Sequence, residues 1–352
     1  MSLSLNQVER LDPRTSSDWL KLVQSYESGV FASPAWLRVL GKTYDFDVSA
    51  YVVRDSSGAV VAGIPYCEID DIFGKRIVGL PFSDFSDPIV SSPEHWTLLS
   101  EALLAHQAPV TLRPLHNVLP LDDPNFDQVN KAKWHGLDLT PEVEELRANL
   151  HPQTRRGLNK SQREGVEIIG LDDLTGMRQF FELHLGIRKN KYRLLAQPYS
   201  FFANIWKCIL QEQAGVLFAA RYDGRFIAMA MFLAWKDTFH YKFSASLSEY
   251  LKLRVPDRLI WEGISYAKEN GFSAFDMGLS DWDQTGLVEY KRKFNPQEKT
   301  ISFLRHNPMN NSSAKNTNLR PWLPRATRLF TQPWIPDGLT EGAGAALYRY
   351  FT

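Results

Sequence analysis

With 352 residues, 44% of them hydrophobic, and 40 basic against 40 acidic side chains, the chain can bury substantial apolar surface, and disordered and fibrous classes are excluded. Its length favours two domains, and its balanced charge means that attraction to nucleic acid or membrane has to come from local clusters. Cys67 and Cys208 form no C-x-x-C pair, no basic segment precedes an apolar h-region, and no run reaches the ~18 apolar residues of a membrane helix. These features predict a cytoplasmic protein, at most peripheral at the inner face of the membrane.

In chain order, Ser16 to Ser28 reads as a helix closed by Gly29, and a second helix starts near Pro34 with Trp36, Leu37 and Leu40 on one face. Strands are predicted at Val48 to Arg54 and Val60 to Glu68 around Ser-Ser-Gly, then at Lys75 to Gly79. A helix from Glu94 to His106 and a strand from Val110 to Arg113 complete the half. The second half opens with one helix from Glu142 to about Glu164, followed by helices near Asp172 to Asn190 and Tyr199 to Gln213. Asp223-Gly224 joins strands Gly215 to Tyr222 and Arg225 to Trp235, the strongest hairpin signal in the chain. A strand from Thr238 to Ser246, a helix beginning at Pro256 and ended by Gly271, and a strand from Ser273 to Met277 follow. Each half therefore reads helix, helix, hairpin, strand, helix, strand, a repeat of element order rather than of letters.

Several familiar patterns fail. Gly41-Lys42-Thr43 lacks the glycine a phosphate loop needs five residues earlier, where Trp36 stands, and Gly342 and Gly344 follow no hydrophobic strand. The histidines show no metal-ligand spacing, so no metal site is expected, and no serine sits in a G-x-S-x-G elbow.

Three strings in the second half carry the most information. They are Leu150-His-Pro-Gln-Thr-Arg-Arg-Gly-Leu-Asn-Lys160 running on to Gly165-Val166, Phe275-Asp-Met-Gly-Leu-Ser280, and Gly286-Leu-Val-Glu-Tyr-Lys-Arg-Lys-Phe294. Together with Phe31-Ala-Ser-Pro-Ala-Trp36, they make the chain resemble the Fem-type (FemABX-like) aminoacyl and acyl transferases over about residues 30 to 305. The resemblance, like the repeated element order, implies an α/β (α+β) fold of two tandem GNAT-like domains, with mixed, mostly antiparallel sheets flanked by helices. Expected boundaries are 1–140 and 141–306, a polar linker at 307–318, and a tail at 319–352 packing back on the first domain. The resemblance also implies transfer of an aminoacyl or other acyl group to an amine on a cell-envelope or exopolysaccharide precursor, nucleotide- or lipid-linked.

Residue by residue, Lys291 matches the lysine of the family's F-K pair, with Tyr290 where Phe is usual, and takes the oxyanion or donor-carbonyl role. A lysine suits it, because charge gathering on a carbonyl oxygen needs a positive or hydrogen-bonding partner. Arg188, Tyr192, Tyr241 and Asp84 match positions that contact the acceptor, and Lys293 is a phosphate contact beside the first lysine. Arg156, Lys160 and Arg163 form one basic helix face fit for a polyanionic donor, and with the clusters at 188–193 and 291–293 they could enclose one site. Each pattern also suits a plainer reading: Tyr241 as a core tyrosine between Phe239 and Phe243, Asp84 in a turn ahead of proline, the basic faces as solvated surface. Asp276 reads as a structural hydrogen-bonding carboxylate more readily than as a base.

The pattern departs from coenzyme-A-using relatives at Ser248-Glu-Tyr-Leu-Lys-Leu-Arg-Val-Pro-Asp257, which lacks the glycines that would cradle a pyrophosphate. No tightly bound cofactor is expected, and the donor, aminoacyl-tRNA or acyl-CoA, stays open. A CoA-dependent N-acyltransferase and a non-catalytic glycan binder are the alternatives, and the oligomeric state is unknown. The tail sets Lys315, Arg320, Arg325, Arg328 and Arg349 against Asp337 and Glu341 among aromatic residues, which leaves contact with an anionic membrane as a second reading for it.

Overall fold

The computed structural model describes residues 7–308 and 321–352. They divide into two compact units: residues 7–133, 299–308 and 352 in the first, residues 134–298 and 321–351 in the second. The elements in chain order are β1 (Gln7–Leu11), α1 (Ser17–Ser25), α2 (Pro34–Tyr44), β2 (Asp47–Arg54), β3 (Val60–Asp71), β4 (Gly74–Val78), α3 (Pro93–Leu104), β5 (Val110–Leu112) and β6 (Asp127–Asp138). There follow α4 (Val143–Asn149), α5 (Pro152–Arg163), β7 (Glu167–Leu171), α6 (Leu174–Ile187), α7 (Tyr199–Ile205), β8 (Gly215–Tyr222), β9 (Arg225–Trp235) and β10 (Thr238–Ser246). The chain ends with α8 (Val255–Glu269), β11 (Ala274–Asp281), α9 (Thr285–Arg292), β12 (Gln297–His306), α10 (Trp322–Phe330) and α11 (Asp337–Leu347).

In the first unit β1 to β4 form an antiparallel run, and β5 returns parallel to β4 after the crossover helix α3. Trp96, Leu99 and Leu103 of α3 pack on Ile64, Tyr66 and Val110 of that sheet. The second unit repeats the plan: β7, β8, β9 and β10 are antiparallel neighbours, and β11 lies parallel to β10 after α8. Its core holds Phe218, Phe232, Phe239 and Phe275 under Leu259 and Ile264 of α8, and Phe232 stacks on Phe239 with ring centres 5.4 Å apart. Burying each such side chain contributes roughly 1.5–3 kcal/mol. The hairpin turn forms as the letters demand: Asp223 and Gly224 both have positive φ, 48° and 74°, the twist that a two-residue turn needs to match its strands.

Four expectations change. The helix drawn from Glu142 to Glu164 is two helices, because Pro152 forces extended backbone on its neighbour, and His151 instead caps α5 by accepting from Gln153 N. The domain border near 140 lies earlier, inside β6, and residues 299–306 belong to the first unit rather than the second. There β12 pairs antiparallel with β5, Leu304 opposite Leu112. From residue 309 the expected linker lies outside the described residues.

The tail, expected on the first domain, packs in the second unit. Arg178 of α6 grips Glu341 of α11 with two parallel bonds of 2.9 and 3.0 Å, and buried Lys189 donates to Ile335 O and, at 2.7 Å, to Asp337. The charges counted as surface are thus clamps for the last two helices. Among the glycines of this tail, Gly344 is the tight one: a Cβ there would sit 2.5 Å from Ala196 O, a backbone atom that cannot swing aside. Gly344→Ala should cost about 1–3 kcal/mol, lowering the melting temperature and speeding proteolysis within residues 337–351.

Candidate active site

The second unit gathers its chemistry where β11 ends. Strand β11 puts Asp276 beside His240 of β10, its partner in the parallel register, and both side chains are buried. Asp276 Oδ2 accepts from His240 Nδ1 at 3.0 Å, and its Oδ1 accepts from Gly278 N at 2.6 Å. Burial opposes ionisation here, but the bonds from His240, Trp134 and the Gly278 amide outweigh it and hold the Asp276 carboxyl below its usual range. Gly278 has φ 72°, a left-handed turn that glycine alone adopts freely. That turn presents the carbonyls of Gly278 and Leu279 to Lys291 of α9, whose Nζ donates to them at 3.0 and 2.8 Å.

Lys291 is only 3% exposed, so it is no solvated lysine of a basic loop. Its neighbour Tyr290 points into a second buried group. Burial lifts the Tyr290 phenol well above its ordinary range, and Asp257 and Tyr241 push the same way. Asp257, in the first turn of α8, lies 2.6 Å from Arg254 Nη2, yet burial still raises its carboxyl above the usual range. Gly157 of α5 packs against this pair: a Cβ there would meet Arg254 Nε and Asp257 Oδ2, each at 3.0 Å. The amino end of α8 is therefore already covered within its own unit by a carboxylate, a guanidinium and a helix.

The other expected residues distribute as follows. Lys293 is half-buried, its carbonyl accepts from His151 N at 2.8 Å, and its charge acts on Asp257. Arg156 and Arg163 are exposed and Lys160 half-buried on α5, whose inner face is Thr154, Gly157, Leu158 and Ser161. Tyr241 is half-buried and donates to Ser244 Oγ. Burial pushes its phenol up to about 12 against that bond, with Tyr192 adding to the rise. Tyr192 itself is 54% exposed, in a π-helical turn, Arg188–Tyr192, that ends α6. Arg188 donates to Leu195 O at 3.0 Å; beneath it, burial and the Arg188 charge push His184 down to about 4. Asp84 is half-buried in the first unit.

Tyr241, Tyr290, Lys291 and Lys293 thus share one neighbourhood, with α5 alongside. The cluster at 188–193 does not join them as a basic wall: Lys189 and Arg193 turn to the C-terminal segment, Arg193 donating to Thr331 O at 2.8 Å. Two groups went unread in the sequence. The His240–Asp276 pair spans 36 positions and becomes visible only with strand register. Arg254, the residue before α8, and Asp257 in its first turn were legible in principle as an ion pair three positions apart.

Residues 148–292 match the acetyltransferase (GNAT) domain family. A search of curated protein sequences finds no match. Among solved structures, FemX aligns with 84% of this chain and 96% of its own, at 14% identity and TM-score 0.65. The C-terminal domain of a putative lysylphosphatidylglycerol synthetase from Agrobacterium fabrum aligns with 84% of this chain and 92% of its own, at 15% identity and TM-score 0.54. A tandem GNAT protein from the clavulanic acid biosynthesis pathway aligns with 85% and 98%, at 11% identity and TM-score 0.54. At such identities the likeness is one of fold.

Proposed function

We propose, from the premise that this chain is an acyltransferase with a GNAT domain in a Fem-type tandem GNAT fold, that it moves an aminoacyl group onto an amine of a cell-envelope or exopolysaccharide precursor. The observation that carries the reading is Lys291, a buried ammonium held at the end of β11 by two carbonyls. In the reaction the acceptor amine adds to the donor's carbonyl carbon, and negative charge gathers on the carbonyl oxygen. Collapse breaks the bond to the donor's leaving oxygen, which takes up the proton the amine loses. A positive charge fixed before the reaction stabilises that oxyanion without reorganisation. Tyr241, Tyr192 and Arg188 are assigned to the acceptor, Lys293 to a phosphate, and the exposed face of α5 at Arg156, Lys160 and Arg163 to the donor's backbone.

The amino end of α8 favours an aminoacyl-tRNA donor over acyl-CoA. A diphosphate is drawn to free amides and the positive end of a helix dipole, and here Asp257 and Arg254 stand at that end with Gly157 against them. Purified protein incubated with radiolabelled charged tRNA and an extract of amine-bearing envelope precursors should move label into the precursor fraction. Acetyl-CoA in place of tRNA should give no transfer and no thermal stabilisation. Label transfer from acetyl-CoA alone would overturn the donor assignment, and transfer from neither would overturn the reading as a whole.

A further inference from the structure

We infer that the outer face of α10 and the turn after it docks on an anionic lipid bilayer. Helix α10 turns Leu323, Ala326 and Thr327 inward and leaves its opposite face to solvent. Trp322 is 53% exposed and Leu329 51% on α10, Trp334 is 70% exposed after it, and Leu339 of α11 is 56% exposed. Arg325 and Arg328 are exposed among them and make no ion pair among the described residues. Scattered exposed leucines are ordinary, but two exposed tryptophans and two leucines within eighteen positions of chain are not.

The charge identifies the partner. The acids nearest in sequence are each paired, exposed Asp337 with buried Lys189 and half-buried Glu341 with Arg178, so the charge of this stretch that makes no ion pair among the described residues, on Arg325 and Arg328, is positive although the whole chain is neutral. Indole rings settle at the headgroup level of a bilayer while guanidinium groups meet lipid phosphates, the composition of an interfacial helix. A second copy of the chain fits less well, because a two-fold contact would set Arg325 and Arg328 against their own like charges. Among the described residues no helix is long and apolar enough to cross a membrane, so the contact is with the surface.

The inference does not depend on Lys291 or on the donor, and its test is separate. The full chain is sedimented with vesicles of phosphatidylcholine alone and of phosphatidylcholine mixed with phosphatidylglycerol, at low and high salt. The protein should partition to the mixed vesicles only and be released by salt. Trp322→Ala with Trp334→Ala, and separately Arg325→Gln with Arg328→Gln, should each weaken partitioning roughly tenfold or more; both pairs are exposed, so thermal unfolding should not change. Absence of vesicle binding, equal binding to neutral vesicles, or wild-type binding by both double variants would overturn it. So would a dimer in the ultracentrifuge that the tryptophan variant dissolves while vesicles bind nothing.

Discussion

Lys291→Met should lower the transfer rate by about 10²–10³, or roughly 3–4 kcal/mol of transition-state stabilisation, while leaving most of the protein folded. Methionine keeps most of the apolar stem and removes the ammonium, its charge and its N–H donors together. The variant also strands the carbonyls of Gly278 and Leu279, a cost of about 1–3 kcal/mol for each buried group left without a donor. Rate and stability must therefore be read together: initial velocity of label transfer at saturating donor, and denaturant unfolding of the same preparation. A loss of rate beyond the unfolded fraction assigns Lys291 to the chemistry. A variant that melts early but transfers at the wild-type rate per folded molecule would make Lys291 a clamp for the end of β11 and nothing more. A non-catalytic binder would show no turnover even as wild type.

Asp276→Asn should be the most damaging single change to stability, about 3–5 kcal/mol, as expected when a buried charged hydrogen-bonding partner is removed. The carboxylate meets an imidazole on one oxygen and a backbone amide on the other, and an asparagine can accept well at only one of them. Because Gly278 also supplies a carbonyl to Lys291, transfer should slow in the folded fraction as well. The pH dependence has a definite sign. The folded carboxyl is held below its ordinary value, so its contribution is present above the unfolded pKa of about 3.9 and disappears as pH falls through the lower folded value. The stability gap between wild type and Asp276→Asn, measured by denaturant unfolding, should be constant from neutral pH down to about 5 and close below about 4. A gap that persisted unchanged in acid would show that Asp276 acts through packing alone.

The readable part of this protein was the part encoded locally. Asp223-Gly224 announces its hairpin because only certain letters tolerate positive φ at both turn positions, and the helices with one apolar face declare themselves by period. Strands β6 and β12 gave little signal: the first is exposed over most of its early residues and polar in letters, and the second has an exposed polar start. The resemblance singled out Lys291 but gave no sign of its burial, since its acceptors are backbone carbonyls thirteen and twelve positions away that any sequence would carry. Lys189 was read within a basic cluster, and Arg178 gave no signal, for a related reason. Their partners lie 148 and 163 positions away, so a local count of charge could only suggest a solvated or anion-binding face.

The placement of β12 bears on how the polypeptide is made. Leu304 to His306 lie alongside Val110 to Leu112, so a nascent chain leaving the ribosome has its first sheet waiting, with β5 as a raw edge, while the whole second repeat is translated. Unsatisfied edges of that kind invite pairing with other chains. Residues 1–140 expressed alone would keep that edge permanently open and should aggregate, whereas supplying residues 297–306 through a short engineered connection should render them soluble. The two acetyltransferase-like halves, separate in their cores, are thus not separate in their biogenesis: the first is finished last.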